Sequence, residues 1–290
     1  MEFDDAQKRK IKGNAPNLVI ISDIHAGCRL GLCPPTGARL DDGGGYLPSK
    51  LQLIVWEWWK EFWEEWVPLV CRKEPYDVLF NGDALDGVHH GSTTQISHNL
   101  NDQFRIAMEI LEPIVAKARK YYHIRGTEAH VGPSGVEEER LAKALGAEPN
   151  EEGQYARYEL WKQVGNENGP LVHAMHHIGT TGSAAYESSA LQAALTAEFV
   201  EAGRNRVSPP DYVGRAHRHR YLKVQNPSIR SEAATIVGPG WQLKTPFTYR
   251  IAGGQVSQPQ FGGYLIRQGS EEFYSRFKRW ELSRPKVECE

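Results

Sequence analysis

The residues of this chain able to do chemistry gather in four short segments. These are SDIH (Ser22 to His25), NGDALDG (Asn81 to Gly87), HAMHH (His173 to His177) and GRAHRH (Gly214 to His219). Aspartate oxygens and imidazole nitrogens hold divalent cations while leaving coordination positions open to water or substrate. Each segment follows an apolar run, so the donors stand where a strand ends. Four such ends meeting at one sheet edge would supply about six ligands, enough for a two-metal hydrolytic centre. Taken alone, a DxH is a common accident, and Gly-Asp also marks ordinary turns. HAMHH says more, because a strand interior seldom carries His173, His176 and His177 together unless one of them has a charged or metallic partner. His217 and His219, two apart on a strand, would share a face and reach one centre.

The elements that must position these residues read as an α/β chain. Asn17 to Ser22 (NLVIIS) is a β-branched apolar run expected to form a strand buried on both faces. Ala26 to Ser49, with six Gly and three Pro, reads as a long loop placed to shape the substrate entrance. Leu51 to Val67 holds five of the eight Trp and sets Val55, Trp59, Phe62 and Trp66 on one helical face. Trp58 and Trp63 lie off that face, where they either pack in the core or serve an oligomer contact or a stacked base. Tyr76 to Phe80 predicts a second strand, Asn99 to Lys120 a helix kinked or broken at Pro113, and Tyr121 to Arg125 a third strand. Gln154 to Val164 and Leu171 to Met175, separated by GNENG, predict an antiparallel hairpin. A helix over Ser188 to Ala202, the strand Asp211 to Gly214 and short strands between Tyr221 and Arg267 complete a mixed sheet or two-sheet sandwich flanked by helices.

Bulk composition narrows the function classes. At 290 residues, with 34 Lys and Arg against 36 Asp and Glu and a net charge of -2, the chain has no basic excess of the kind that marks general nucleic-acid binders. Cys28, Cys33, Cys71 and Cys289 form no CxxC pair, which points to free thiols and a reduced, cytoplasmic setting. The charged N-terminal segment lacks a signal-peptide core, and no apolar stretch is long enough to span a bilayer, so no membrane partner is expected.

The order DxH, GD, a Gly-x-His-like segment, His and HxH resembles the calcineurin-like metallophosphoesterase superfamily, whose members include phosphatases, cyclic-nucleotide phosphodiesterases and DNA-repair nucleases. The resemblance runs from about residue 17 to 220. It implies one four-layer αββα domain, a mixed β-sandwich flanked by helices. The Trp-rich helix near 46–68 would be an insertion and the segment from about 221 a β-rich extension. It implies two divalent metals, manganese first, with iron, zinc or nickel as alternatives. It also implies a phosphate-ester substrate: most readily a phosphodiester in a nucleotide or nucleic acid, otherwise a phosphomonoester. A binding protein of the same fold without turnover is the third possibility. By position, Asp23, His25 and His219 resemble ligands of the first metal and Asp83 the bridging carboxylate. His176 and His217 resemble ligands of the second metal, with His177 in place of His176 if the strand end is one residue off.

The departure from the family lies at RGTEAHVG (Arg125 to Gly132), where a Gly-Asn-His segment is expected. Glu128 is the expected substitute for the Asn ligand, with Thr127 a weaker candidate, and His130 the expected proton donor to the leaving group. Asp86, His89 and His90 could orient ligands or contact phosphate. Arg125 and Arg215, beside ligand segments, could contact phosphate as well.

Overall fold

The apolar runs of the sequence become strands buried on both sides, and this places two sheets face to face. The computed structural model describes residues 15–89, 91–132, 134–179, 186–227, 232–251, 257–283 and 288. Its first half contains β1 (Asn17–Ile21), β2 (Ala38–Arg39), β3 (Gly45–Tyr46), α1 (Lys50–Glu61), a π-helical stretch (Phe62–Trp66), α2 (Val67–Val70), β4 (Tyr76–Asn81), α3 (Leu100–Val115) and β5 (Tyr121–Ile124). There follow α4 (Glu128–Val131), α5 (Val136–Ala144), β6 (Ala156–Arg157), β7 (Glu159–Gln163), β8 (Leu171–Met175), α6 (Glu187–Asn205), β9 (Tyr212–Arg215), β10 (Leu222–Pro227), β11 (Glu232–Val237), β12 (Gln260–Gln268) and β13 (Phe273–Glu281).

The first sheet has the order β13-β12-β1-β4-β5-β6 and the second β10-β11-β9-β8-β7. β1, β4, β5 and β6 run parallel to their neighbours in that series, and β8, β9 and β11 do so in the second sheet. The alternation of β1 explains the layering. Leu18 and Ile20 meet Val172, Ala174 and Ile236 between the sheets, whereas Val19 and Ile21 join Trp59, Phe62, Ile106 and Leu141 under the outer helices. Across the second sheet, Val213 and Ala233 pack on Leu195 of α6. The result is the expected αββα arrangement, in which all the carboxyl ends of the parallel strands open along one edge. None of the helices among the described residues is long and apolar enough to cross a membrane.

Several local expectations are revised. Ser49 starts α1 with a capping box, its hydroxyl accepting from Gln52 N–H and Gln52 Oε1 accepting from Ser49 N–H. The π-helical stretch after it adds a residue to the turn, and Phe62 and Trp63 are both buried. Trp58 stacks on Trp280 with ring centroids 6.2 Å apart and Trp63 meets Phe62 edge-on at 5.2 Å, so both off-face tryptophans find partners within the chain. Pro113 leaves α3 unbroken because it stands in the exposed last turn, close to where the helix ends anyway. The hairpin begins only at Glu159, since Ala156–Arg157 pairs with β5 in the other sheet. The segment from 221 supplies strands to both sheets, and β12 pairs directly with β1.

Candidate metal centre

At the edge where the strands end, the expected donors converge. Asp23 and His25 follow β1, Asp83 follows β4, His176 follows β8, and His217 and His219 follow β9. His217 and His219 are not on a strand. They occupy a bend in which both backbones are left-handed, with φ 72° and 49°. Asp23, His25 and Asp83 share that conformation at φ 56°, 44° and 57°. Five of the eight described non-glycine residues with positive φ are therefore in this cluster. Each costs on the order of 1–2 kcal/mol, so the surrounding structure must hold them there.

The donors interlock. His176 Nε2 lies 3.0 Å from Asp83 Oδ2 and 4.0 Å from Asp23 Oδ1. His219 Nε2 lies 3.2 Å from Asp23 Oδ1 and 3.3 Å from His25 Nε2. His217 Nδ1 lies 3.8 Å from Asp83 Oδ2. Asp23, His25 and His219 can hold one cation together, as can Asp23, Asp83 and His176, and a further set of His176, His177 and His217 lies on the exposed side. Asn81 carbonyl oxygen accepts from His176 Nδ1 at 2.6 Å, which fixes the tautomer and aims Nε2 at Asp83. Asp23 Oδ1 is buried and makes no well-formed hydrogen bond among the described residues. An orphaned carboxylate oxygen beside two imidazole nitrogens facing each other at 3.3 Å is chemistry that a divalent cation satisfies.

The electrostatics agree. Burial would raise the Asp23 pKa, but the imidazoles of His219 and His176 outweigh it and hold the carboxyl at about 2. Asp83 is likewise held well below the ordinary range, burial being overcome mainly by His176. His176 rises to about 10, because Asp83 more than cancels the effect of its burial. A cation bound here would displace imidazole protons.

RGTEAH departs from the sequence expectation. Thr127 caps α4, and its side chain points into the cluster: Oγ1 stands 3.2 Å from Asp83 Oδ2, 3.2 Å from His217 Nδ1 and 3.5 Å from His176 Nε2, while Thr127 N–H donates to Asp83 Oδ1 at 2.7 Å. Glu128, first residue of α4, is exposed and joins none of the donor groups. The turn from extended chain into helix sends the two side chains different ways, so Thr127 replaces Glu128 as the candidate ligand. His130 does reach the cluster, with its ring 4.5 Å from that of His25, and its Nδ1 donates to Asp86 carbonyl oxygen at 2.7 Å. Burial pushes its pKa down to about 4, which leaves a neutral imidazole with the proton on Nδ1.

The expected phosphate contacts are also revised. Asp86 is 1% exposed and lies behind His25, its Oδ1 3.5 Å from His25 Nδ1, and it is held in turn by Gln95 Nε2 at 2.8 Å. It supports the His25 ring from behind, and with His89 and His130 it forms a further group of donors that could hold a cation. His89 stands beside it, Nε2 3.8 Å from Asp86 Oδ2; His90 lies outside the described residues. Arg125 donates to Ala156 carbonyl oxygen at 2.6 Å and to Tyr158 hydroxyl at 3.1 Å, holding β6. Arg215 points under α6, where it meets Glu198 at 3.4 Å, because its register along β9 matches Val213. The same face explains His173: it is flanked by Glu159 and Glu198 and stacked on Trp161, so its partners are carboxylates.

No family model matches the sequence, and no curated protein matches it. Among solved structures the chain is similar to a metallophosphoesterase from Sphaerobacter thermophilus at 10% identity, covering 93% of this chain and 89% of that one with a TM-score of 0.39. It is similar to vacuolar protein sorting 29 from Cryptosporidium parvum at 11% identity, covering 93% and 100% with a TM-score of 0.35. Sulfate thiohydrolase SoxB from Thermus thermophilus, in complex with glycerol, matches at 12% identity over 94% of this chain and 57% of that chain, with a TM-score of 0.38. Likeness this remote says nothing about chemistry, and the site stands on its own geometry. In sheet order and layering the chain is a two-sheet αββα sandwich whose strand ends carry the Asp and His residues.

Proposed function

We propose that the chain is a phosphoesterase working with two divalent metal ions, and that it hydrolyses a phosphodiester in a nucleotide or nucleic acid. The observation that carries the reading is the interlocked donor set, in which Asp83 stands between His176 and His217 on one side and the Asp23, His25 and His219 group on the other. Asp23, His25, Asp83 and His219 would hold one ion; Asp83, Thr127, His176 and His217 would hold the other. Manganese is the first ion to test. Bound there, the pair would supply Lewis acidity and lower the pKa of a water. His130, neutral with its proton on Nδ1, is suited to take a proton from the attacking water and return it to the leaving oxygen, which balances hydrolysis. The diester preference has support from charge. Arg125 and Arg215 are engaged with Ala156, Tyr158 and Glu198, and a diester brings one negative charge fewer than a monoester dianion to be matched by such cations.

The test is metal content and turnover in the same preparation. Folded protein reconstituted with Mn should hold about two ions per chain and cleave bis-p-nitrophenyl phosphate faster than p-nitrophenyl phosphate. Folded protein that takes up no metal would refute the reading. Faster cleavage of the monoester would move the substrate to the phosphomonoester class.

A further inference from the structure

Glu138, on α5, is fully buried, and none of the lysines or arginines among the described residues forms an ion pair with it. Its two oxygens are used separately. Oε1 accepts the Ala84 N–H at 2.8 Å and Oε2 accepts the Gly126 N–H at 2.6 Å. Ala84 follows Asp83, and Gly126 precedes Thr127. One carboxylate therefore holds the loop after β4 and the loop after β5 at once. The loops touch closely on their other side: a Cβ on Gly126 would lie 2.0 Å from Asp83 Oδ1, so only glycine permits the approach. Thr127 N–H then closes the ring onto that same Asp83 oxygen at 2.7 Å. Behind Glu138 stands His123, with Nε2 3.8 Å away and Nδ1 paired with Tyr121 hydroxyl at 2.7 Å.

We propose that Glu138 is a positioning residue of the metal centre, fixing Asp83 against Thr127 so that both can serve one cation. The proposal rests on the two-metal reading given above. Burying a carboxylate costs several kcal/mol, and a role confined to joining two loops could be filled by a neutral acceptor. A charge makes sense where cations gather. Asp23, Asp83, Asp86 and Glu138 are all at most 1% exposed, and Glu138 sets a carboxylate directly behind the two loops that carry Asp83 and Thr127. Glu138 thus contributes to the field of the site as well as to its geometry.

Two variants test this by Mn titration of the full chain, followed by calorimetry, with thermal melts run in the presence and absence of Mn. Glu138→Gln keeps the shape but sets an NH₂ group against one of the two backbone donors. It should bind Mn about 10–100-fold more weakly than wild type, the range found for partners that orient metal ligands. The rise in melting temperature that Mn produces should shrink with it. Glu138→Asp keeps the charge and withdraws it by one methylene, and should recover part of the affinity. A structural role alone would lower the melting temperature equally with and without Mn and leave affinity unchanged, which overturns the proposal. If Glu138→Gln fails to fold, Glu138→Asp decides by the same comparison. Failure of both to fold, with or without Mn, would assign the residue to the scaffold and overturn the proposal too. Wild type that binds no Mn defeats the two-metal reading itself; wild type binding two ions beside variants of equal affinity defeats only the role of Glu138.

Discussion

Replacing Thr127 by Val removes one oxygen from the centre and leaves the backbone N–H bond to Asp83 in place. The hydroxyl donates to Asp83 Oδ2 at 3.2 Å. A hydrogen bond to a charged partner contributes about 1.5–3 kcal/mol at its best, and at this length in a partly exposed position about 1 kcal/mol is expected. For a chain of this size that lowers the melting temperature by about 1–2 °C, so the fold survives. Metal binding should suffer more. Losing the one oxygen set between Asp83, His176 and His217 should weaken the second ion by about 10–100-fold, or about 1.4–2.7 kcal/mol. The first ion, held by Asp23, His25 and His219, should be retained. Thr127→Asn offers an amide oxygen at the same place and should keep or tighten the second ion. Glu128→Ala should change neither, because that side chain is exposed outside the donor groups. Metal content after dialysis, Mn titration by calorimetry and hydrolysis of bis-p-nitrophenyl phosphate would be read on all three variants. A Glu128→Ala protein that loses its second ion beside a Thr127→Val protein that keeps it would refute the reasoning.

Asp83→Asn should remove nearly all hydrolysis and weaken both ions while the circular dichroism spectrum stays native; a lost fold would instead make Asp83 structural. His130→Ala should cost on the order of 10²–10⁴ in rate with an alkoxide leaving group and much less with p-nitrophenolate, which leaves without a proton; equal losses on both substrates would deny it the proton-carrying role. Arg215→Ala leaves Glu198 with His173 as its remaining partner under α6 and should destabilise the fold by about 1–3 kcal/mol without altering KM, and a changed KM in a stable variant would return Arg215 to the substrate. Burial pushes the thiols of Cys28, Cys33 and Cys71 up to about 12, so all three should resist iodoacetamide at pH 8 until the chain is unfolded, as peptide mapping of the alkylated sites would show.

The strands, and the convergence of the Asp and His residues set at their ends, were legible because their signals are local. A β-branched run such as NLVII needs burial on two sides whatever surrounds it, and an Asp or His at its end has few uses other than charge or metal. The helix that begins at Lys50 was equally plain from its 3.6 periodicity, but the π-helical stretch Phe62–Trp66 breaks that period and buries Trp63, which the pattern had set off the apolar face. What could not be read was direction. Thr127 and Glu128 are neighbours, and only the turn into α4 decides which of them faces the cluster. Arg215 lies two residues from His217, yet the alternation of β9 turns it under α6. Glu138 gave no signal at all, since a glutamate in the first turn of a short acidic helix reads as a solvated cap. Gln95 and Gln242, which hold Asp86, are likewise ordinary in sequence. Their roles come from loops that only the tertiary fold brings together.

β12 lies against β1, the strand that delivers Asp23 and His25. Arg267 donates to Asn17 Oδ1 across 250 positions, and Trp241 N–H donates to Asp23 carbonyl oxygen at 2.9 Å. On a growing chain β1 is therefore made early and completed late. Through most of synthesis it carries an apolar face and an open hydrogen-bonding edge, the conditions under which chains pair with the wrong partner. Contacts this remote in sequence also close slowly. The two aspartates and the histidines around them consequently become a site in the last stage of folding, and the yield of active protein should depend on how well β1 is shielded until Gln260–Gln268 arrives.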